Sequence, residues 1–177
     1  ITDAKSAIRW YKQNADKLGI DPRKIIAGGG SAGGHISLLA TTNPGLNDPS
    51  DTKKYDATVA AYLLFNPALS ASDAKDPQVD FLQHLKDDLP PAMVFFGSED
   101  TWLKKGWKAA SAKMTSLKIS DSVEVRIANG QGHGFFNRQP WTDVTLIEAD
   151  RFLTALGYLE GEPTLIMPKT GEKLQRP

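Results

Sequence analysis

The stretch Gly28-Gly29-Gly30-Ser31-Ala32-Gly33-Gly34 constrains the fold of this chain more than any other. An apolar run, Lys24-Ile25-Ile26-Ala27, leads into it, and a helix-like segment from Ser31 to Thr41 leads out. That order fits a buried strand that turns sharply into a helix packed against its own sheet. Side chains two residues before and two after the serine would collide where strand and helix meet. Gly29 and Gly33 are therefore expected as glycines. The turn would lift the Ser31 hydroxyl clear of the sheet, beside the positive end of the helix.

Three readings compete for these residues. Gly29-x-Ser31-x-Gly33 matches the elbow that carries a nucleophilic serine. Gly28-x-Gly30-x-x-Gly33 matches a dinucleotide-binding turn, which also joins a strand to a helix. A flexible small-residue linker is the third. The rest of the chain decides among them.

The 177 residues suffice for one domain with a core of its own. Lys plus Arg equals Asp plus Glu, so the formal net charge is zero and nucleic acid is not an expected partner. No apolar run approaches ~18 residues, so no membrane span is predicted. The absence of cysteine excludes disulfides, a cysteine nucleophile and thiolate metal sites, and leaves the compartment open between secreted and cytoplasmic. Ile1 falls within a helical pattern, so the natural N-terminus is expected upstream of it.

Residues 3–18 read as an amphipathic helix, with Ala4, Ile8, Tyr11, Ala15 and Leu18 at spacings of three and four. Strands are predicted over 24–28, 57–65, 92–96 and 122–128. Between them lie the elbow helix, a polar loop over 43–56, an insertion over 70–89 and a helix carrying Leu103, Trp107, Ala110, Met114 and Leu117. In the last strand Val123, Val125 and Ile127 point inward, and Glu124 and Arg126 outward, as at a half-exposed edge. A Gly-rich loop over 129–134, a helix over 142–156 and an extended tail over 161–177 complete the chain. Strands alternating with helices imply an α/β fold: a parallel sheet with helices on both faces, in three αβα layers. Residues 1–160 form one domain in this reading, with 70–89 as a small lid.

Three predicted loops follow three strands on one edge of this sheet, where open α/β sheets bind ligands. They carry Ser31, then Glu99 and Asp100, then His133. A serine hydroxyl is a poor nucleophile at neutral pH and needs a base within hydrogen-bond reach. His133 can take that proton and return it to a leaving alcohol, while a carboxylate fixes its tautomer. Asp100 is assigned that role, with the longer Glu99 as the fallback. The Ala32 N–H is expected to donate one hydrogen bond to a developing oxyanion. The dinucleotide reading needs an acid roughly 20 residues on, at the end of the next strand. Asp48 and Asp51 precede that strand, which closes with Asn66-Pro67. A linker would not sit between a strand and a helix.

Gly28-Gly29-Gly30-Ser31-Ala32-Gly33-Gly34-His35, Gly97-x-x-Asp100 and Gly132-His133-Gly134-Phe135-Phe136 together resemble the α/β-hydrolase superfamily. Within it the chain is most similar to esterases of the hormone-sensitive-lipase, acetyl-esterase and xylan-esterase types. The resemblance implies hydrolysis of small-molecule or carbohydrate esters through an acyl-serine, with no metal and no cofactor. A prolyl-oligopeptidase-type peptidase shares the elbow and the order of the three residues and is the nearest alternative. A nucleotide-binding oxidoreductase and a catalytically silent partial domain are the more distant ones.

The family carries a His-Gly-Gly type loop upstream of the elbow, which these residues lack. The chain is thus expected to represent the C-terminal part of the fold, with half of its oxyanion hole. The resemblance also puts the elbow strand mid-sheet, so its edge here is expected to be open to pairing in a homo-oligomer. Leu82 and Leu85 of the insertion, with Trp102 and Phe135, are candidate pocket residues. His35 is read as structural and His84 as a surface residue.

Overall fold

The computed structural model describes residues 1–70, 73 and 75–177. Ala71, Ser72 and Ala74 of the 70–89 insertion lie outside the described residues. Four parallel strands, β1 (Ile26–Gly30), β2 (Ala61–Phe65), β3 (Ala92–Gly97) and β4 (Val123–Ala128), stand side by side in sequence order. A short fifth strand, β5 (Leu174–Gln175), pairs antiparallel with Ile127 and Ala128.

Because each strand is added on the same side of the last, right-handed crossovers all fall on one face. The helices α3 (Ala32–Thr42), α4 (Phe81–His84) and α5 (Lys108–Ser116) lie in these crossovers, and α1 (Thr2–Gln13) joins them there. Leu38, Leu39, Phe81, Ala110 and Met114 form the core on this face, with Ile8 packed against it. The helix α6 (Trp141–Ala155) covers the other face through Trp141, Val144, Ala149 and Phe152. The period-2 alternation of the strands sorts their side chains between the two cores. Tyr62, Leu64, Val94 and Phe96 go to the first, and Ala61, Met93 and Phe95 to the second. Among the described residues no helix is long and apolar enough to cross a membrane.

Several boundaries differ from the sequence reading for identifiable reasons. β1 runs over 26–30 rather than 24–28, because its register with β2 carries the ladder through Gly29↔Leu64 and Gly30↔Phe65. A Cβ at Gly28 would overlap the Leu63 carbonyl, so glycine is what lets this part of the strand pair. β2 begins at Ala61, opposite Ile26, rather than at residue 57. The N-terminal helix breaks at Asn14, whose side chain bonds the Trp10 carbonyl, before a last turn, α2 (Ala15–Leu18), ends at the left-handed Gly19. A π-helical turn, Leu103–Trp107, precedes α5.

β4 is a partly exposed edge over residues 123–125, but the expected in–out alternation fails at Arg126 and its last two residues are not an edge. The tail supplies β5 beside it, and Arg126 is only 8% exposed. The face expected to meet water lies under α6, where Arg126 pairs with Glu148 at 3.3 Å and with Glu124 at 2.6 Å. The polar 43–56 loop is likewise anchored. The Lys5 ammonium donates to the carbonyls of Asn43 and Gly45, and Arg9 pairs with Asp51 at 2.7 Å. Burial, with the Arg9 charge nearby, pushes the Lys5 pKa below 10.5.

Phe95 is fully buried and stacked on Phe65 with ring centroids 4.9 Å apart. Phe95→Ala should lower the unfolding free energy by about 3–5 kcal/mol. A shift in urea midpoint at constant slope checks this, and a loss under about 1 kcal/mol would contradict the packing described.

Candidate active site

The carboxyl ends of the strands lie along one edge of the sheet, and the loops that follow them build the site. Ser31 directly follows β1 and extends its ladder, with its N–H bonded to the Phe65 carbonyl at 2.9 Å. Its φ of 54° places a non-glycine residue in the left-handed half of backbone space. The Ser31 carbonyl accepts from Gly34 N–H at 3.1 Å and from Ala68 N–H at 3.0 Å, which fixes the turn from both sides. Ser31 is the N-cap of α3, so the Ala32 N–H is among the helix amides without an intrahelical acceptor.

The steric reason for the flanking glycines is one-sided. A Cβ on Gly29 would stand 2.8 Å from the Gly33 carbonyl carbon, whereas a Cβ on Gly33 would meet nothing within 4 Å. The expected collision therefore applies to Gly29 and not to Gly33. At Gly30 the conflict is with the ring tip of Phe136, 2.6 Å from the added atom.

His133 follows β4 in a loop held against the end of β3. Glu99 N–H bonds Gln131 O at 2.9 Å, and Ser98 N–H bonds Ala128 O at 3.0 Å. A side chain on Gly97 would overlap the Gln131 carbonyl, so this crossing depends on glycine. The loop brings His133 Nε2 to 2.8 Å from Ser31 Oγ and Nδ1 to 2.9 Å from Asp100 Oδ2. With Nδ1–H donating to the carboxylate, Nε2 is left to accept from the serine hydroxyl. The His133 side chain is 41% exposed, while that of Asp100 is fully buried.

Asp100 is held on both oxygens. Oδ1 accepts from Trp102 N–H at 2.9 Å, and Oδ2 accepts from His133 and from the amide Nδ2 of Asn66. Glu99 points elsewhere, toward Lys104 at 3.2 Å, whose ammonium holds the Glu99 carboxyl below its usual range. Asn66 is the residue missing from the sequence reading. It ends β2 with φ 48° and is fully buried. Its visible signal was its place before Pro67 at a strand end, where Asn tolerates a left-handed backbone better than most residues.

The candidate pocket residues scatter. Phe135 lies in the second core against Trp141, and Leu85 in the first core, each 3% exposed. Neither is free to line a pocket, because packing consumes both side chains. The adjacent Phe136 instead lies against Gly30 and Phe65. Trp102 packs half-buried on the first core, and Leu82 borders a cavity of about 190 Å³ with Leu69, Phe81 and Gly106. His35 bonds the Val79 carbonyl at 2.9 Å and so docks the insertion on α3; His84 bonds Pro77 O at 2.8 Å. The acid that a dinucleotide site needs is absent from the end of β2, where Asn66 stands. Asp51 is paired with Arg9 and Ser6, and Asp48 with Ser50.

Known proteins resemble this chain in sequence and in fold. The family model BD-FAE matches residues 1–63. Esterase LipC of Mycobacterium tuberculosis is 29% identical over 166 residues, covering 76% of this chain and 40% of LipC. Arylacetamide deacetylase of Mus musculus is 31% identical over 129 residues, covering 72% of this chain and 31% of that protein. The chain thus spans less than half the length of these two relatives. Among solved structures, Thermogutta terrifontis esterase 2 phosphorylated by paraoxon superposes with a TM-score of 0.79 at 34% identity, covering 91% of this chain and 65% of that one. Its butyrate-bound form gives 0.77 at 31%, covering 92% and 67%.

The one-sided clash around the serine can be measured. Gly29→Ala should lower thermal stability by several degrees, while Gly33→Ala should stay within about 1 kcal/mol of the parent. Equal losses for the two variants, read by differential scanning fluorimetry, would contradict the geometry.

Proposed function

Given that the chain belongs to the α/β-hydrolase esterase family, we propose that it carries the nucleophile, base and acid of a carboxylic ester hydrolase acting through an acyl-serine. The observation that carries this reading is the continuous hydrogen-bonded chain Ser31 Oγ–His133 Nε2 and His133 Nδ1–Asp100, with spans of 2.8 and 2.9 Å.

In this mechanism His133, neutral at the start, accepts the hydroxyl proton as Ser31 Oγ attacks the ester carbonyl carbon. The carbonyl oxygen takes up the electron pair and faces the N-terminus of α3, where the Ala32 N–H donates to it. His133 then gives its proton to the departing alkoxide, which leaves as the alcohol, and an acyl group remains on Ser31. A water molecule repeats the sequence against the acyl-serine and releases the acid. Asp100 stays ionised throughout, holding the ring and stabilising the imidazolium. The exposed edge of His133 gives the alcohol and the water a path to Nε2. Short-chain acyl esters are the proposed substrate class, supported by the propionate- and butyrate-bound forms of esterase 2.

Two measurements test the reading. A fluorophosphonate probe should label the protein at Ser31, as located by peptide mass spectrometry, and Ser31→Ala should abolish labelling. Labelling that survives that substitution would sink the proposal. For the acid, Asp100→Asn should reduce kcat on 4-nitrophenyl butyrate by about 10³–10⁴-fold, whereas Glu99→Gln should change it by less than about threefold. The reverse ranking would reassign the acid.

A further inference from the structure

We propose that Asn66 is a positioning residue that sets how strongly Asp100 acts on His133; this rests on the triad reading above. Asn66 is fully buried at the end of β2, and its Nδ2 donates to Asp100 Oδ2. That oxygen is the one that also accepts from His133 Nδ1, so the two donors share a single acceptor.

The placement is unfavourable to stability on three counts. The amide is removed from water, its Oδ1 has no hydrogen-bond partner among the described residues, and the backbone sits at φ 48°. Flipping the amide would set Oδ1 against the Asp100 carboxylate, oxygen to oxygen, so the donor orientation is dictated by the acid. A side chain kept for packing alone would be apolar here. The cost is instead tied to the carboxylate.

The surroundings make this donor count. Asp100 is stabilised by Asn66, by Trp102 N–H and by His133. The nearby charged pair, Glu99–Lys104, is turned to solvent, with side chains 64% and 57% exposed. Across the imidazole, Nε2 faces the uncharged Ser31 hydroxyl. The carboxylate charge is therefore shared among two neutral donors, the Asn66 amide and the Trp102 N–H, and the imidazole. Removing the amide leaves more of that charge on His133, which favours the imidazolium and moves its titration to higher pH. Ala68, two residues on, also donates its N–H to the Ser31 carbonyl, so one short segment braces both the acid and the elbow.

Asn66→Gly removes the donor while keeping a residue at ease with positive φ. In NMR titrations of the whole protein, the His133 midpoint should rise by about 0.5–1 pH unit, with His35 and His84 unmoved. In an Asp100→Asn background the same substitution should leave His133 unchanged. An unmoved His133 midpoint, or an equal shift in that background, would overturn the proposal. Should Asn66→Gly not fold, the unmodified protein still decides. Its Asn66 side-chain amide resonances should track the His133 titration, and resonances indifferent to it would refute the shared oxygen. These titrations need no turnover, so a protein that fluorophosphonate leaves unlabelled would fail the esterase reading without touching this one.

Discussion

The parallel register of β1, β2 and β3 is the constraint on which the rest of the molecule depends. Gly30 lies opposite Phe65, and Phe65 opposite Phe95, so the chain leaves β1 and β2 at one level. That puts Ser31 and Asn66 side by side. β3 and β4 continue to Gly97 opposite Ala128, which gives their loops the height to fold back over the same edge. Asp100 makes that return through a tight turn, its N–H bonded to the Gly97 carbonyl at 3.0 Å. A slip of one residue in β1 against β2 would turn Ile26 and Ala27 to the opposite faces and shift Ser31 relative to His133.

The edge of the sheet is locally strained and the sheet itself is not. Ser31 and Asn66 both hold positive φ, each costing about 1–3 kcal/mol. The Asn66 Oδ1, without a hydrogen-bond partner among the described residues, adds a further cost of about 1–3 kcal/mol. Asn66 sits directly beyond a strand that is largely buried, with Tyr62 and Leu64 at its centre, and Ser31 beyond the partly buried β1 paired to it. Leu46 and Lys118 also hold positive φ, in loops away from the site, but along the carboxyl edge of the sheet the unfavourable conformations fall on the residues that build the site.

Much of this was legible in the sequence because it rests on local pattern. The apolar runs marked the strands, and serine, acid and histidine appeared in order beyond them. What escaped depends on partners distant in sequence. β1 shifts to residues 26–30 because β2 recruits its glycines, and Arg126 is buried because α6 returns over it. Leu174 and Gln175 become a strand only through contact with β4. Phe135 and Phe136 divide their duties by which one faces Trp141 and which faces Gly30, a choice that composition does not record. Asn66 read as the end of a strand because its partner, Asp100, lies 34 residues ahead.

That the hydrogen bond from Ser31 to His133 spans 102 residues bears on how the protein is made. A ribosome delivers Ser31 102 residues before His133, with β2, β3 and β4 emerging between them. Closing so long a loop is slow and entropically unfavourable until the intervening strands have paired. The serine therefore lacks this base while the three intervening strands are being made. Any nucleophilic power it acquires comes with the completed sheet, so the fold itself delays the chemistry until the chain can contain it.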